Sequence, residues 1–406
     1  MKTSGSAGMS KVEGAAAMID AARAVVERDL DDMVERLRTE LGGMARSRLL
    51  ITGGAGFLGY YLVQLIASWN RANADDMIET IVVDNYSRGV PPWLATMDGR
   101  DGLRCLRHDA TQPLPSDVPP LDYVIHAASI ASPTFYRKYP LQTMDANVNG
   151  LRLLLDQAVT QEQAGHALRG FLFFSTSEIY GDPPPEMIPT PETYRGNVSC
   201  TGPRACYDES KRYGETLSVT FAQHYGVPVR IARPFNNYGP GLRIGDGRVI
   251  PDFARDLLRG DDLVMLSDGR PTRTFCYVAD AIVGYVKILV RGRDGEPYNI
   301  GVSTPEISMA ELAERMVGLG RAAFGYRGQV VYRVSPEKAY LVDNPNRRCP
   351  DISKAVAELD YEPRVALDEG LRRSLTWYRG TQAAGSDTLP VTAAPAGSSV
   401  TKGGAA

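Results

Sequence analysis

The sequence is short of the residues that build metal sites and disulfide frameworks. Its 406 residues hold four histidines (His108, His126, His166, His224) and five cysteines (Cys105, Cys200, Cys206, Cys276, Cys349). They are scattered, with no CxxC pair and no ligand spacing, which argues against a metal centre. An odd, dispersed cysteine set fits reduced thiols in a cytosol better than a disulfide scaffold. Neither sign of charge dominates: a formal net charge of −3 gives no reason to expect nucleic acid or an acidic membrane as partner. Long hydrophobic runs are missing as well. The small apolar stretch at 14–26, GAAAMIDAARAVV, is interrupted by Asp20 and Arg23 and falls short of a signal peptide or a membrane span. These absences lead to the expectation of a soluble, cytoplasmic protein.

What is present is an ordinary globular balance, 43% hydrophobic and 23% charged, long enough for a large α/β domain and a smaller lobe. Residues 1–10 and 382–406 are rich in Gly, Ala, Ser and Thr, have little to bury, and are expected to be disordered. Residues 16–41 read as a helix, with Met18, Ala21, Val25, Leu30, Met33, Leu37 and Leu41 near 3.6 spacing. It is expected to pack on the domain or on a second subunit. From Arg48 the texture changes to strand, glycine loop and helix, and apolar runs then alternate with helical stretches. That alternation predicts a doubly wound parallel sheet. The reading divides the chain into a partly helical extension (1–46), a dinucleotide-binding domain (47–235), a substrate lobe with segments returning to the sheet (236–381) and a tail (382–406).

Gly53, Gly56 and Gly59 form GxxGxxG between a strand and a helix, with Phe57 and Leu58 inside the loop as further cofactor-binding candidates. The glycines allow a tight turn, approach of a pyrophosphate to the backbone, and close helix packing, with the helix N-terminus facing the phosphates. Asp84 ends the next strand, where an acid accepts the adenosine ribose hydroxyls and repels a 2′-phosphate. This favours NAD over NADP, with Asn85 beside it and Arg88 nearby weakening the discrimination. Ala127 ends a later strand on the same edge. Asp109 either binds the adenine edge or caps a turn. Tyr207 and Lys211 stand four apart on a helix, so both project from one face. An ammonium beside a phenol favours phenolate, so the pair predicts a general base with a lowered pKa.

In TGGAGFLG, STSEIYGDP, GPRACYDESKR, RPFNNYGPG, TRTFCYV and NRRCPDI the chain resembles the extended short-chain dehydrogenase/reductases that act on nucleotide sugars. It is most similar to the UDP-glucuronate decarboxylases, over roughly residues 48–378. The resemblance implies bound NAD, a UDP-sugar substrate and a homodimer. It matches Thr176 to the hydroxyl on sugar O4, Tyr207 and Lys211 to the base and its partner, and Ser177 and Glu178 to the pair beside C5. Arg348 matches a group reaching the sugar or diphosphate, while Asn236, Arg248 and Arg273 fall where diphosphate, uracil and ribose are held. The chain departs from the pattern at Gly241, where a basic residue is usual, at Ser210, usually glycine, and in its N-terminal helix.

A single carboxylate after Ser177, without an aspartic partner, fits decarboxylation better than the elimination run by an Asp-Glu pair. Oxidation at C4 makes the C6 carboxylate a β-keto acid, from which carbon dioxide leaves as the ketone accepts the electron pair. The alternatives are epimerisation or pyranose–furanose ring contraction of another nucleotide sugar, including a GDP-sugar, and a non-catalytic dinucleotide sensor.

Overall fold

The structure, a computed structural model, describes residues 4–335 and 342–390. Seven apolar runs pair into one parallel sheet: β1 (Arg48–Thr52), β2 (Glu79–Asp84), β3 (Leu103–Arg107), β4 (Tyr123–His126), β5 (Gly170–Phe174), β6 (Val229–Pro234) and β7 (Pro297–Ile300). Their order is β7-β6-β5-β4-β1-β2-β3. All five residues of β5, GFLFF, are buried, as expected of a parallel strand covered on both faces. The chain runs outward from β1 to β3, then resumes on the other side of β1 at β4. A crevice therefore opens at the carboxyl ends of β1 and β4, the switch point where such sheets bind ligands.

The main helices are α1 (Ser4–Arg36), α2 (Phe57–Ala72), α3 (Leu151–Gln163), α4 (Ala205–Tyr225), α5 (Val278–Arg291) and α6 (Leu367–Ala383). One sheet face packs Phe171 and Phe173 against Leu151, Leu155, Leu217 and Phe221 of α3 and α4. The other face is covered by α2 and α5, and α1 lies outside these, against α6, α2 and α5. The N-terminal helix thus packs on its own domain. Leu30, Met33, Leu37 and Leu41 are buried, but nearer the N-terminus the stripe runs through Ala22 and Val26 rather than Ala21 and Val25. A run of alanines does not fix the phase of a helix. Its inward face also carries Asp29, which accepts from the Tyr61 and Tyr277 hydroxyls (both 2.6 Å) and from Arg373 (2.6 Å). A buried carboxylate is tolerated when it is hydrogen-bonded and paired in this way.

Both termini depart from expectation. The backbone of α1 is already helical at Ser4, in a segment expected to be disordered: once the packed half has nucleated the helix, each further residue adds one hydrogen bond, and this carries it through SGSAGMS despite two glycines. Residues 1–3 and 391–406 lie outside the described residues. Of the remaining tail, α6 runs to Ala383, and Thr388 and Leu389 are buried, with the Tyr60 hydroxyl donating to the Leu389 carbonyl (2.8 Å). One leucine and one backbone acceptor suffice to dock a segment whose composition is otherwise that of a free tail.

Candidate active site

The crevice is a cavity of about 1110 Å³, and every candidate named from the sequence lines it. Its cofactor half is shaped by backbone. Gly53 holds φ +71°, and a Cβ there would come within 2.7 Å of the Ala127 carbonyl and the Ala128 backbone. A Cβ on Gly59 would come within 2.2 Å of the Gly54 carbonyl. No side chain caps α2, whose N-cap is Gly56, so its first amides and the positive end of its dipole face the cavity, beside Phe57 and Leu58. Asp84 accepts from the amides of Ala55 (3.1 Å) and Tyr86 (2.8 Å), which ties the glycine loop to the end of β2. Burial raises its pKa, and those two bonds oppose the rise. These residues fit a dinucleotide. Arg88 is engaged elsewhere, donating to Asp246 (2.9 Å) and lying 4.9 Å from the Phe135 ring centroid. Asp109 does cap a turn, accepting from both the amide and the hydroxyl of Thr111 (2.9 Å each), and it lines the cavity as well. Asn85 accepts from the Ser87 amide (2.9 Å). Gly241, at φ +89°, lies against the Tyr60 ring, which leaves no room for a basic side chain. Arg243, two residues on, lines the cavity instead.

Where β5 ends, Thr176 is extended and caps the short helix Ser177–Tyr180, accepting from the Glu178 amide (3.3 Å). The first turns of α4 bring Tyr207 and Lys211 beside it. Lys211 Nζ donates to the Phe174 carbonyl (2.7 Å), and Tyr207 stacks on Tyr136 with centroids 5.1 Å apart and planes 9° apart. Ser210, in the place of the usual glycine, donates to the Tyr207 carbonyl (2.9 Å) and accepts from Asn147 (2.9 Å).

One expectation is corrected here. Tyr207 is not lowered: burial pushes it up to about 12, with Glu178 adding to the rise and the Thr176 hydrogen bond and Arg248 opposing it. Lys211 is itself brought down to about 7 by burial. Its ammonium, turned to a carbonyl and 6.0 Å from the Tyr207 ring centroid, does not drive the phenol toward phenolate. Residue spacing reports which face a pair shares, but not the cost of desolvating it.

The substrate half is a lattice of ion pairs. Glu178 accepts from both Arg348 nitrogens, Nη2 at 2.6 Å, and from Arg204. Burial alone would raise its carboxyl, but Arg204 and Arg348, with Arg273 behind them, hold it down at about 2. Arg348 and Arg273 are register partners on two short parallel strands, Arg347–Arg348 and Thr272–Arg273. Arg273 donates to the carbonyls of Thr272 (2.7 Å), Pro345 (2.6 Å) and Asn346 (3.2 Å), anchoring the segment that delivers Arg348. Burial, then the charge of Arg348, brings it down to about 9. Asn236, at φ +42°, donates to the Thr274 carbonyl (2.8 Å), and Arg248 pairs with Asp246 (3.2 Å). Sequence reasoning missed Arg204 and Asp208. Both flank Tyr207 within GPRACYDESKR, so a signal was there, but nothing local said that Arg204 faces Glu178.

The family model of the NAD dependent epimerase/dehydratase family matches residues 49–301. UDP-glucuronic acid decarboxylase 3 of Arabidopsis thaliana is 41% identical over 324 residues, covering 80% of this chain and 86% of that protein. UDP-glucuronic acid decarboxylase 1 of Xenopus tropicalis is 34% identical, covering 87% and 81%. Among solved structures, the dTDP-glucose 4,6-dehydratase of Streptomyces venezuelae, with NAD bound, is 28% identical, covers 85% of this chain and 100% of that one, and has a TM-score of 0.70. The chain belongs to the NAD dependent epimerase/dehydratase family.

Proposed function

We propose that this protein is an NAD-dependent decarboxylase of UDP-glucuronate, forming UDP-xylose through a 4-keto sugar. The observation that carries the reading is Glu178. A lone carboxylate directly after Thr176 and Ser177 is clamped between two guanidiniums on the wall of the cavity. The names of the curated relatives point the same way.

In this mechanism Thr176 holds the sugar O4 and Tyr207 takes its proton; burial keeps the phenol protonated, so the base form would depend on the cationic nicotinamide of bound NAD favouring the phenolate. NAD, when bound, would supply the hydride chemistry at C4, and Gly53, Gly56, Gly59, Asp84 and Lys211 would hold it. Loss of carbon dioxide from C5 then leaves an enolate, which must be protonated at carbon. Ser177 and Glu178 serve that side of the ring. Held at about 2, Glu178 is an anion at neutral pH and is not the stored acid; Ser177 gives its hydroxyl proton to C5 and regains one from solvent water, with Glu178 accepting and passing on that proton. Asn236, Arg248, Arg273 and Arg348 line the way to the diphosphate, ribose and uracil.

The same reading extends to assembly and place. A homodimer through α4 and the helix Pro140–Asp145 is supported by Leu141 (70% exposed), Met144 (43%) and Tyr213 (52%) on those elements. A cytoplasmic site agrees with the free cysteines. Among the described residues no helix is long and apolar enough to cross a membrane.

The test is incubation of the purified protein with a panel of nucleotide sugars, followed by mass spectrometry. UDP-glucuronate should lose carbon dioxide and yield a pentose. An isomer of unchanged mass would replace this reading with epimerisation or ring contraction.

A further inference from the structure

Arg204 is the residue immediately before α4, the helix that carries Tyr207 and Lys211. Arg204 is 7% exposed, and its guanidinium is held from three sides. Nη2 donates to Glu178 Oε2, the oxygen that Arg348 Nη2 also contacts. Nε lies 3.5 Å from Oδ2 of Asp208, one helical turn along. Its centre stands 6.0 Å from the centroid of Tyr136, the ring stacked on Tyr207. Asp208 is 4% exposed, and its Oδ1 has no hydrogen-bond partner. A buried carboxylate with one unsatisfied oxygen is costly, and positions that keep one commonly do so for the site they serve.

We propose that Arg204 is a positioning residue for the reaction, fixing the Glu178 carboxylate against Arg348, and that Asp208 in turn fixes Arg204. The consequence is geometric. With Arg348 alone, Glu178 would be tied to the segment around residues 344–348, which Arg273 anchors. With Arg204 it is also tied to the helix that carries the base. O4 deprotonation and chemistry at C5 occur on adjacent carbons, so the groups serving them must keep a fixed separation, and a shared rigid helix provides it. Arg204 lies between the carboxyl groups of Asp208 and Glu178, and Arg348 lies against Glu178, so each guanidinium is held by a carboxyl group; burial and the Glu178 charge raise Asp208 to about 7. The proposal rests on the reading that Glu178 serves the C5 side.

A double-mutant cycle separates this role from a merely structural one, because a residue acting only through another loses its effect when that other is removed. In the otherwise unmodified enzyme, Arg204→Gln should slow product formation about tenfold, in kcat rather than KM, as for loss of a charged hydrogen bond felt in the transition state. In a Glu178→Gln background the same change should cost less than about twofold. Arg204→Lys should recover part of the rate, because it keeps the charge but not the two-sided grip. Asp208→Asn should give a smaller loss that vanishes in the Arg204→Gln background. Undiminished UDP affinity by calorimetry shows that each variant is folded. An equal loss in both backgrounds, or a rise in KM with kcat unchanged, overturns the proposal and makes Arg204 an independent substrate contact. The cycle is read on whichever nucleotide sugar the enzyme turns over. Failure to release carbon dioxide therefore counts against the decarboxylase reading, while the pattern of coupling still decides the role of Arg204.

Discussion

The two halves of the cavity are built by different means. The cofactor half is a shape: positive φ at Gly53, bare backbone at Gly56 and Gly59, an uncapped helix end, and Asp84 held by two backbone amides. The substrate half is a set of charges: Glu178, Arg204, Arg348, Arg273 and Asp208, each positioned by the others. Shape tolerates many substrates, since every member of a cofactor-sharing family needs the same groove. Charge is where one member's chemistry is written.

The comparison can be tested hardest where the halves meet. Tyr207→Phe keeps the stacking on Tyr136 and removes only the hydroxyl. Turnover should fall by roughly 10² to 10⁴, the usual range for a general base, with UDP binding retained. Near-normal turnover would place the chemistry outside the Thr176–Tyr207–Lys211 cluster and erase the junction. A smaller effect is expected within the cofactor half. Asp84→Ala removes the anion that repels a 2′-phosphate and should narrow the preference for NAD over NADP, measured by titrating both cofactors. Equal affinity of the unmodified protein for both would show that this half does not discriminate by charge at all.

The smallest effect concerns stability. In the folded protein Glu178 sits at about 2, below its ordinary 4.5. A depressed carboxyl contributes stability that is complete above its unfolded pKa and is lost as pH falls through the folded one. Between pH 4.5 and 2 the unmodified protein should therefore lose more thermal stability than Glu178→Gln; the difference should become flat only above about pH 7, because the Glu178 charge also helps to raise Asp208 to about 7. Parallel melting curves across that window would mean that the ion-pair lattice does not hold Glu178 ionised.

The same contrast explains what was legible in the sequence. The sheet, the glycine loop and Asp84 are local patterns, each confined to a few residues whose spacing implies their geometry. Tyr207 and Lys211 were legible as a pair on one helix face. Their electrostatics were not, because burial is a property of the assembled core. Arg348 could be named from NRRCPDI, yet its partner Glu178 lies 170 residues away, and the partnership depends on the pairing of two-residue strands. Arg204, 26 residues from Glu178, was overlooked for the same reason. The N-terminal stripe was offset by one residue because alanines carry little phase information. The docked tail was invisible because it rests on one leucine and one carbonyl.

The central claim is that Glu178 acts after C4 is oxidised, on the C5 side of the ring. A single turnover of Glu178→Gln with UDP-glucuronate tests it most directly, because glutamine keeps size and hydrogen-bonding reach while removing charge and proton exchange. The account predicts that the absorbance of bound NADH rises and then persists far longer than in the unmodified enzyme, since the oxidised sugar is carried forward to reclaim its hydride only at a slow residual rate. Release of carbon dioxide at the normal rate, with no lasting NADH signal, would contradict it and reduce Glu178 to a structural anchor for two arginines.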